Sequence, residues 1–309
     1  MIHSKRYLAK WAFYSFQGLA SYLIWPYFRL RRHLFPENQA RILTYHCVSQ
    51  FPKEREIPYD NVPPELFADH MHILEKEHCQ VVSLSDLVHM LEANQTIPPK
   101  TIVITFDDGY KNNYLNALPV LEKMGFKASF FIIAGGLGMQ KPFKHLLWDE
   151  AARTHFRSNP ETRLPMNALE VRGILEEGHE IGSHGLTHRS VGNLPYKEGM
   201  EEIIRSKEIL EDVIGENISL FAYPFGAKSY NDFNQRTSSM LMESGFKAAC
   251  TGEIGSITLG NGLYELARIP IRETDTPFRF KQKLYGAFDW INPFKRAFQK
   301  AIPRIDKAF

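Results

Sequence analysis

Thr101-Ile102-Val103-Ile104-Thr105-Phe106-Asp107-Asp108-Gly109 is the stretch on which the fold of this chain turns. Its first six residues are apolar or β-branched with no polar alternation, the pattern of a strand buried on both faces in a parallel sheet. Two acids and a glycine then stop it at its C-terminal end. The same grammar recurs outward in both directions. Upstream, Ile42-Leu43-Thr44-Tyr45 reads as a strand running into His46, and Gln80–Leu84 as another. Downstream, Ala128–Ile133 is stopped by Ala134-Gly135-Gly136, Glu180–Ser183 runs into His184, and Ile218–Tyr223 runs into Pro224-Phe225-Gly226. Phe246–Cys250 and Leu266–Ile271, which carries Arg268, close the series.

Helical stretches alternate with these runs. One starts at Ser85-Asp86 under a serine cap and continues to about Ala93; others cover Tyr114–Met124 (ended by Gly125), Tyr196–Ile214 and about Phe233–Glu243. Residues 137–170 read as an irregular insertion with a helix near Trp148. Strand-helix alternation of seven or eight units, with no repeat or linker, predicts a single α/β domain able to close as a (β/α)7-8 barrel over residues 41–275.

In such a barrel every strand's C-terminal end opens on one face, so His46, Asp107, Asp108, His184, Pro224–Gly226 and Arg268 converge on one mouth. Taken singly these are weak signals: Asp-Asp-Gly is a common turn, and His184-Gly-Leu-Thr-His188 is only an H-x3-H spacing. Together they supply two imidazoles and a carboxylate, the donor set of a catalytic divalent ion with a position left for water. Adjacent aspartates on an extended backbone point oppositely, so one of Asp107 and Asp108 can ligate the ion while its neighbour stays off it as a base.

Thr105–Tyr110, Ser183–His188 and Phe221–Gly226, in this order and spacing, resemble the polysaccharide deacetylases, carbohydrate esterase family 4 or the nodulation-protein-B homology group. The resemblance implies a distorted (β/α) barrel and metal-dependent removal of acetyl from N-acetylated sugars. It makes Asp107 the general base and Asp108, His184 and His188 the ligands of one divalent ion, zinc by default with cobalt, nickel or manganese suited to the same donors. Tyr223, Pro224, Phe225 and Gly226 become the substrate and oxyanion loop, with the Phe225 N–H as donor. Two departures stand out. The arginine that many members carry before the Pro-aromatic-Gly motif is replaced by Leu220 and Ala222, so Arg268 either tethers the base or pairs with a structural acid. No histidine follows His188, so the leaving amine draws its proton from His46, from protonated Asp107 or from water.

The composition (44% hydrophobic, 23% charged) is globular, and three cysteines, Cys47, Cys79 and Cys250, form no disulfide framework or thiolate metal motif. The net charge of +2 hides a division: residues 1–33 hold six basic residues and no acid, and residues 276–309 hold eight against two acids. The 23 basic and 33 acidic residues between them leave an acidic body, which excludes a nucleic-acid groove and fits contact with an anionic membrane through the ends. Within segment 1–40, Trp11–Phe28 is 18 residues without a charge, just long enough at ~1.5 Å per residue to cross a ~30 Å hydrocarbon core. Its rings and Pro26 suit an interfacial helix equally; a cleaved leader or a soluble extension are further readings, and basic flanks on both sides leave orientation open. The basic segment 276–309 reads as a helical extension. The predicted activity is N-deacetylation of a glycan or lipid-linked saccharide by a membrane-associated enzyme. Removal of formyl or another acyl group from a lipid-linked amino sugar, hydrolysis of a non-sugar amide, and a non-catalytic sugar-binding barrel are the alternatives.

Overall fold

The computed structural model describes residues 37–50, 60–141 and 164–289, with Tyr22, Trp25, Pro26, Tyr27 and Leu30. Most of the predicted anchor, the helix near Trp148 and the chain beyond 289 lie outside the described residues. Among those described, no helix is long and apolar enough to cross a membrane.

The two longest strands, β1 (Ala40–Tyr45) and β5 (Thr101–Phe106), are buried along their whole length and pair in parallel register from Ala40↔Thr101 to Tyr45↔Phe106. Around them lie β6 (Ser129–Ile132), β7 (Glu180–Ser183), β8 (Leu220–Ala222), β9 (Ala248–Cys250) and β10 (Ile269–Pro270), in the order β10-β1-β5-β6-β7-β8-β9, every pair parallel. The short β4 (Gln80–Val81) pairs with the first half of β5, while β6 takes the second half. A separate pair, β2 (Cys47–Val48) and β3 (Asn61–Val62), sits above β1. Between β9 and β10 no ladder forms. A single Cys250↔Leu266 bridge, with Thr251 N–H donating to the Leu266 carbonyl, spans that gap. The barrel is therefore distorted, as expected, with its seam between the last two strands.

Side-chain alternation divides the core into two layers. Ile42, Val103, Phe131, Leu220, Ala222, Ala248 and Cys250 share the interior cluster, which Leu84, Leu87 and Val88 of α2 (Leu84–Glu92) join. The outward set, including Tyr45, Ile104, Phe106, Phe130 and Phe221, packs against the surrounding helices: α1 (Pro64–Lys76), α3 (Leu118–Met124), α4 (Ala168–Glu176), α5 (Tyr196–Ile214) and α6 (Gln235–Glu243).

Three local expectations change. The cap of α2 is Ser83, which accepts the Asp86 N–H, so the helix begins at Leu84 and β4 stops at Val81. The first turn of the predicted 114–124 helix is wound as a π-helix, Asn113–Ala117. The insertion ends earlier than read: Asn167 and Glu170 form a reciprocal capping box that starts α4. The last described helix, α7 (Pro277–Leu284), packs on the barrel through Lys283–Asp275 (2.6 Å) and Lys281–Glu77 (2.7 Å), and Asp289 beyond it clasps Arg41 at 2.8 and 2.6 Å.

Candidate active site

The interior parity that buries Ile42 and Val103 carries past the strand ends to His46 and Asp107. Asp107 N–H donates to the Tyr45 carbonyl (2.9 Å), continuing the β1–β5 ladder to the mouth. Its carboxylate, 3% exposed, is held by the Arg268 guanidinium, 4% exposed, in two parallel bonds of 2.7 and 2.6 Å. The guanidinium is itself fixed: Nε donates to the Thr251 carbonyl (2.9 Å), and the plane lies 5.7 Å from the Phe131 ring centre. The acid that Arg268 holds is Asp107. Burial alone would raise the Asp107 carboxyl, but the charge and paired hydrogen bonds of Arg268 outweigh it and hold it below the usual carboxylate range. His46 Nε2 stands 3.9 Å from Asp107 Oδ2, and Asn113 Nδ2 donates to the His46 carbonyl at 2.7 Å.

Asp108 is not extended. Its φ of +73° puts it in the left-handed region, and this turn, rather than strand alternation, sends its carboxylate away from that of Asp107. Asp108 Oδ1 lies 3.5 Å from His184 Nε2 and 3.4 Å from His188 Nε2, and the three donor atoms all fall within 4.8 Å of one another. His184 Nδ1 sits 2.8 Å from the Ala222 carbonyl, which can only accept, so the proton is on Nδ1 and Nε2 presents a lone pair inward. In the neutral ring that lone pair faces the Asp108 oxygen, acceptor to acceptor. A divalent cation between them resolves the conflict, so this donor set fits a metal.

The loop after β8 forms the next wall. Phe225 (φ +62°) and Gly226 (φ +60°) are both left-handed, between a buried Pro224 and the 252 backbone. A Cβ at Gly226 would lie 2.3 Å from the Gly252 nitrogen, so only glycine fits. Phe225 is 60% exposed, its ring edge-on to His188 at 4.7 Å. Tyr223 does not join this wall with its side chain. Its ring is buried against Phe233 (5.3 Å, stacked), and burial pushes its hydroxyl up to about 12. The carbonyls of Ala222 and Thr251, which orient His184 and Arg268, were invisible in the sequence because every residue carries one.

The geometry is that of a barrel mouth with an aspartate-bis-histidine cluster beside a second, arginine-locked aspartate. A family profile described as polysaccharide deacetylase matches residues 94–249, half of the chain. The chain belongs to that family. YxkH of Bacillus subtilis is 27% identical over 230 residues, covering 74% of this chain and 70% of YxkH. The poly-β-1,6-N-acetyl-D-glucosamine N-deacetylase of Staphylococcus aureus is 24% identical over 269 residues, covering 82% of this chain and 85% of that enzyme. Among solved structures, the Streptococcus pyogenes deacetylase PplD superposes with a TM-score of 0.65 at 21% identity, over 81% of this chain and 99% of PplD. The distorted barrel is thus the fold of known deacetylases.

Proposed function

We propose that this protein hydrolyses the N-acetyl amide of an N-acetylated glycan, with a divalent ion held by Asp108, His184 and His188. Zinc suits that nitrogen-and-oxygen donor set best; cobalt, nickel and manganese are accommodated by it. The observation that carries the reading is the side-by-side placement of two chemically different aspartates at one mouth: Asp108 in the imidazole cluster, Asp107 off it and locked to Arg268.

When bound, the ion supplies positive charge that polarises the amide carbonyl and acidifies a water. Asp107, kept ionised by Arg268, accepts the proton of the attacking water, and the two-pronged grip fixes the direction in which it does so. The N–H of Phe225, on a backbone that Pro224 and Gly226 hold rigid, donates to the developing oxyanion. His46, beside Asp107 and a quarter exposed to the mouth, delivers a proton to the leaving amine. The exposed Phe225 ring supplies a flat apolar wall for a sugar face.

A polymeric glycan is favoured over a lipid-linked sugar by where the described residues of the two basic ends lie. Trp25 packs edge-on against Tyr285 (5.2 Å) and Phe278 (5.8 Å) of the α7 region. With Gln39, Arg41 and Thr101 it lines a cavity of about 640 Å³ at the strand-start end of the barrel. A membrane contact made there turns the mouth away from the lipid surface, where a chain of sugars is reached more readily than a lipid headgroup.

The test is acetate release from a defined β-1,6-linked N-acetylglucosamine oligomer, before and after chelation and with Asp107→Asn. Turnover that survives both changes overturns the mechanism. Activity confined to formylated or lipid-linked substrates overturns the substrate assignment.

A further inference from the structure

Helix α5 presents two polar side chains on its buried stripe. Glu202 (4% exposed) and Ser206 (fully buried) lie one turn apart among Gly199, Ile203 and Leu210. Both reach the loop that joins the two imidazoles. Glu202 Oε2 accepts the N–H groups of Leu186 (3.1 Å) and Thr187 (2.9 Å), and Oε1 accepts the Thr187 hydroxyl. Ser206 Oγ meets Ser183 Oγ at 2.7 Å, and Ser183 Oγ in turn accepts the Gly185 N–H. On the loop's other side, the Ala134 and Gly135 N–H groups donate to the carbonyls of Gly185 (3.1 Å) and Leu186 (2.8 Å). The approach there is so close that a Cβ at 135 would lie 2.5 Å from the Leu186 oxygen.

The loop is thus clamped from two sides between residues 184 and 188, and it needs to be. It ends in His188 at φ +61°, a conformation that a non-glycine residue holds only where its surroundings over-determine it. A buried carboxylate is costly unless its lone pairs are filled, and all three donors that fill those of Glu202 come from Leu186 and Thr187, between the two histidines. Packing alone would be served by methionine or leucine at this helix position. The carboxylate is there for the loop.

We propose that Glu202 is a positioning residue for the metal centre: it touches no ion, but it fixes Leu186 and Thr187 so that the Nε2 atoms of His184 and His188 are aimed at one point before a cation arrives. This rests on the reading of Asp108, His184 and His188 as the ligand set. Preorganisation of this kind shows in affinity and coordination geometry, and only secondarily in turnover. Residues that orient metal ligands from behind typically change affinity roughly 10–100-fold when removed.

The experiment compares the parent with Glu202→Met and Glu202→Gln, all stripped by chelator and checked for equal thermal unfolding in the metal-free state. Zinc affinity is read by competition with a chromophoric chelator, and coordination geometry from the absorption spectrum of the Co2+-loaded proteins. E202M is expected to bind zinc about 10–100-fold more weakly with an altered cobalt spectrum. E202Q, whose amide oxygen can accept both N–H groups while its NH2 turns to the Thr187 hydroxyl, is expected within about fivefold of the parent with the parent's spectrum. If E202M does not fold, Thr187→Val removes the hydroxyl leg alone, and a loss of about 2–5-fold is expected. Parental affinity and spectrum in E202M, or in T187V where it substitutes, overturn the role of Glu202. So does an E202Q as weak as E202M. A parent that takes up no stoichiometric ion, or takes it up equally after Asp108→Asn, overturns the metal-centre reading itself.

Discussion

Arg268→Met isolates the pair on which the proposed base depends. In the parent, the Asp107 carboxylate and the Arg268 guanidinium are both almost completely buried and joined by bonds of 2.7 and 2.6 Å. Methionine fills much of the volume but strands a carboxylate inside the barrel. It also leaves the Thr251 carbonyl without its 2.9 Å donor. Removing one partner of a buried ion pair costs about 3–5 kcal/mol. At about 2 °C per kcal/mol for a chain of this size, the midpoint of unfolding drops by roughly 6–10 °C. Adding Asp107→Asn removes the stranded charge, so D107N/R268M should regain about 1–4 kcal/mol relative to R268M, although D107N alone deletes the base. The assay is urea unfolding of the metal-free proteins followed by tryptophan fluorescence, alongside acetate release. R268M should lose at least 100-fold in kcat, because the carboxylate then lacks the two-pronged grip that aims it and the cation that favours its ionised form. A loss of stability below 1 kcal/mol in R268M, or a double variant no more stable than R268M, would refute the account of a pair held by mutual compensation.

Other positions give independent checks. Burial, helped by the charge of Lys283, lowers His70 to about 4 against Asp275 and Asp69, which favour its charged form; its ring stacks on Phe280 and is bonded to the Asp275 carbonyl (2.6 Å) and the Tyr45 hydroxyl. It stays neutral in the fold while the unfolded chain takes up a proton below about 6.5. Stability should therefore fall as pH drops from about 6.5 to 4, by about 3 kcal/mol in total, and His70→Gln should flatten that slope in pH-dependent unfolding. Gly226→Ala meets the Gly252 nitrogen at 2.3 Å from a left-handed backbone, and should lose at least 2 kcal/mol of stability and more than tenfold in kcat/KM. Tyr223→Phe should leave kcat within about twofold and the unfolding free energy within about 1 kcal/mol of the parent, because its ring stacks on Phe233 away from the mouth.

The strand ends were legible for a simple reason. A parallel strand buried on both faces is written as an unbroken apolar run, so the place where polarity returns marks the barrel mouth. Thr101–Phe106 and Glu180–Ser183 have the predicted bounds, and Asp107, Asp108 and His184 fall at the mouth as read. The same periodicity gave Tyr196–Ile214 as one helix but assigned Glu202 and Ser206 no task. A polar residue on an apolar stripe signals a partner without saying which.

By itself, the sequence determined the alternation of strands and helices and the two histidines and two aspartates that gather at one end, because local pattern and residue chemistry are properties of short stretches. The tertiary structure decided which cation faces Asp107, 161 positions away along the chain. It also decided that the Asp108 carboxylate departs through a left-handed turn, and that Tyr223 faces the helices while Phe225 faces the mouth. Those outcomes depend on how the barrel closes at its irregular seam and on which backbone carbonyls come within reach. Such long-range geometry is fixed only when all the strands have found their neighbours.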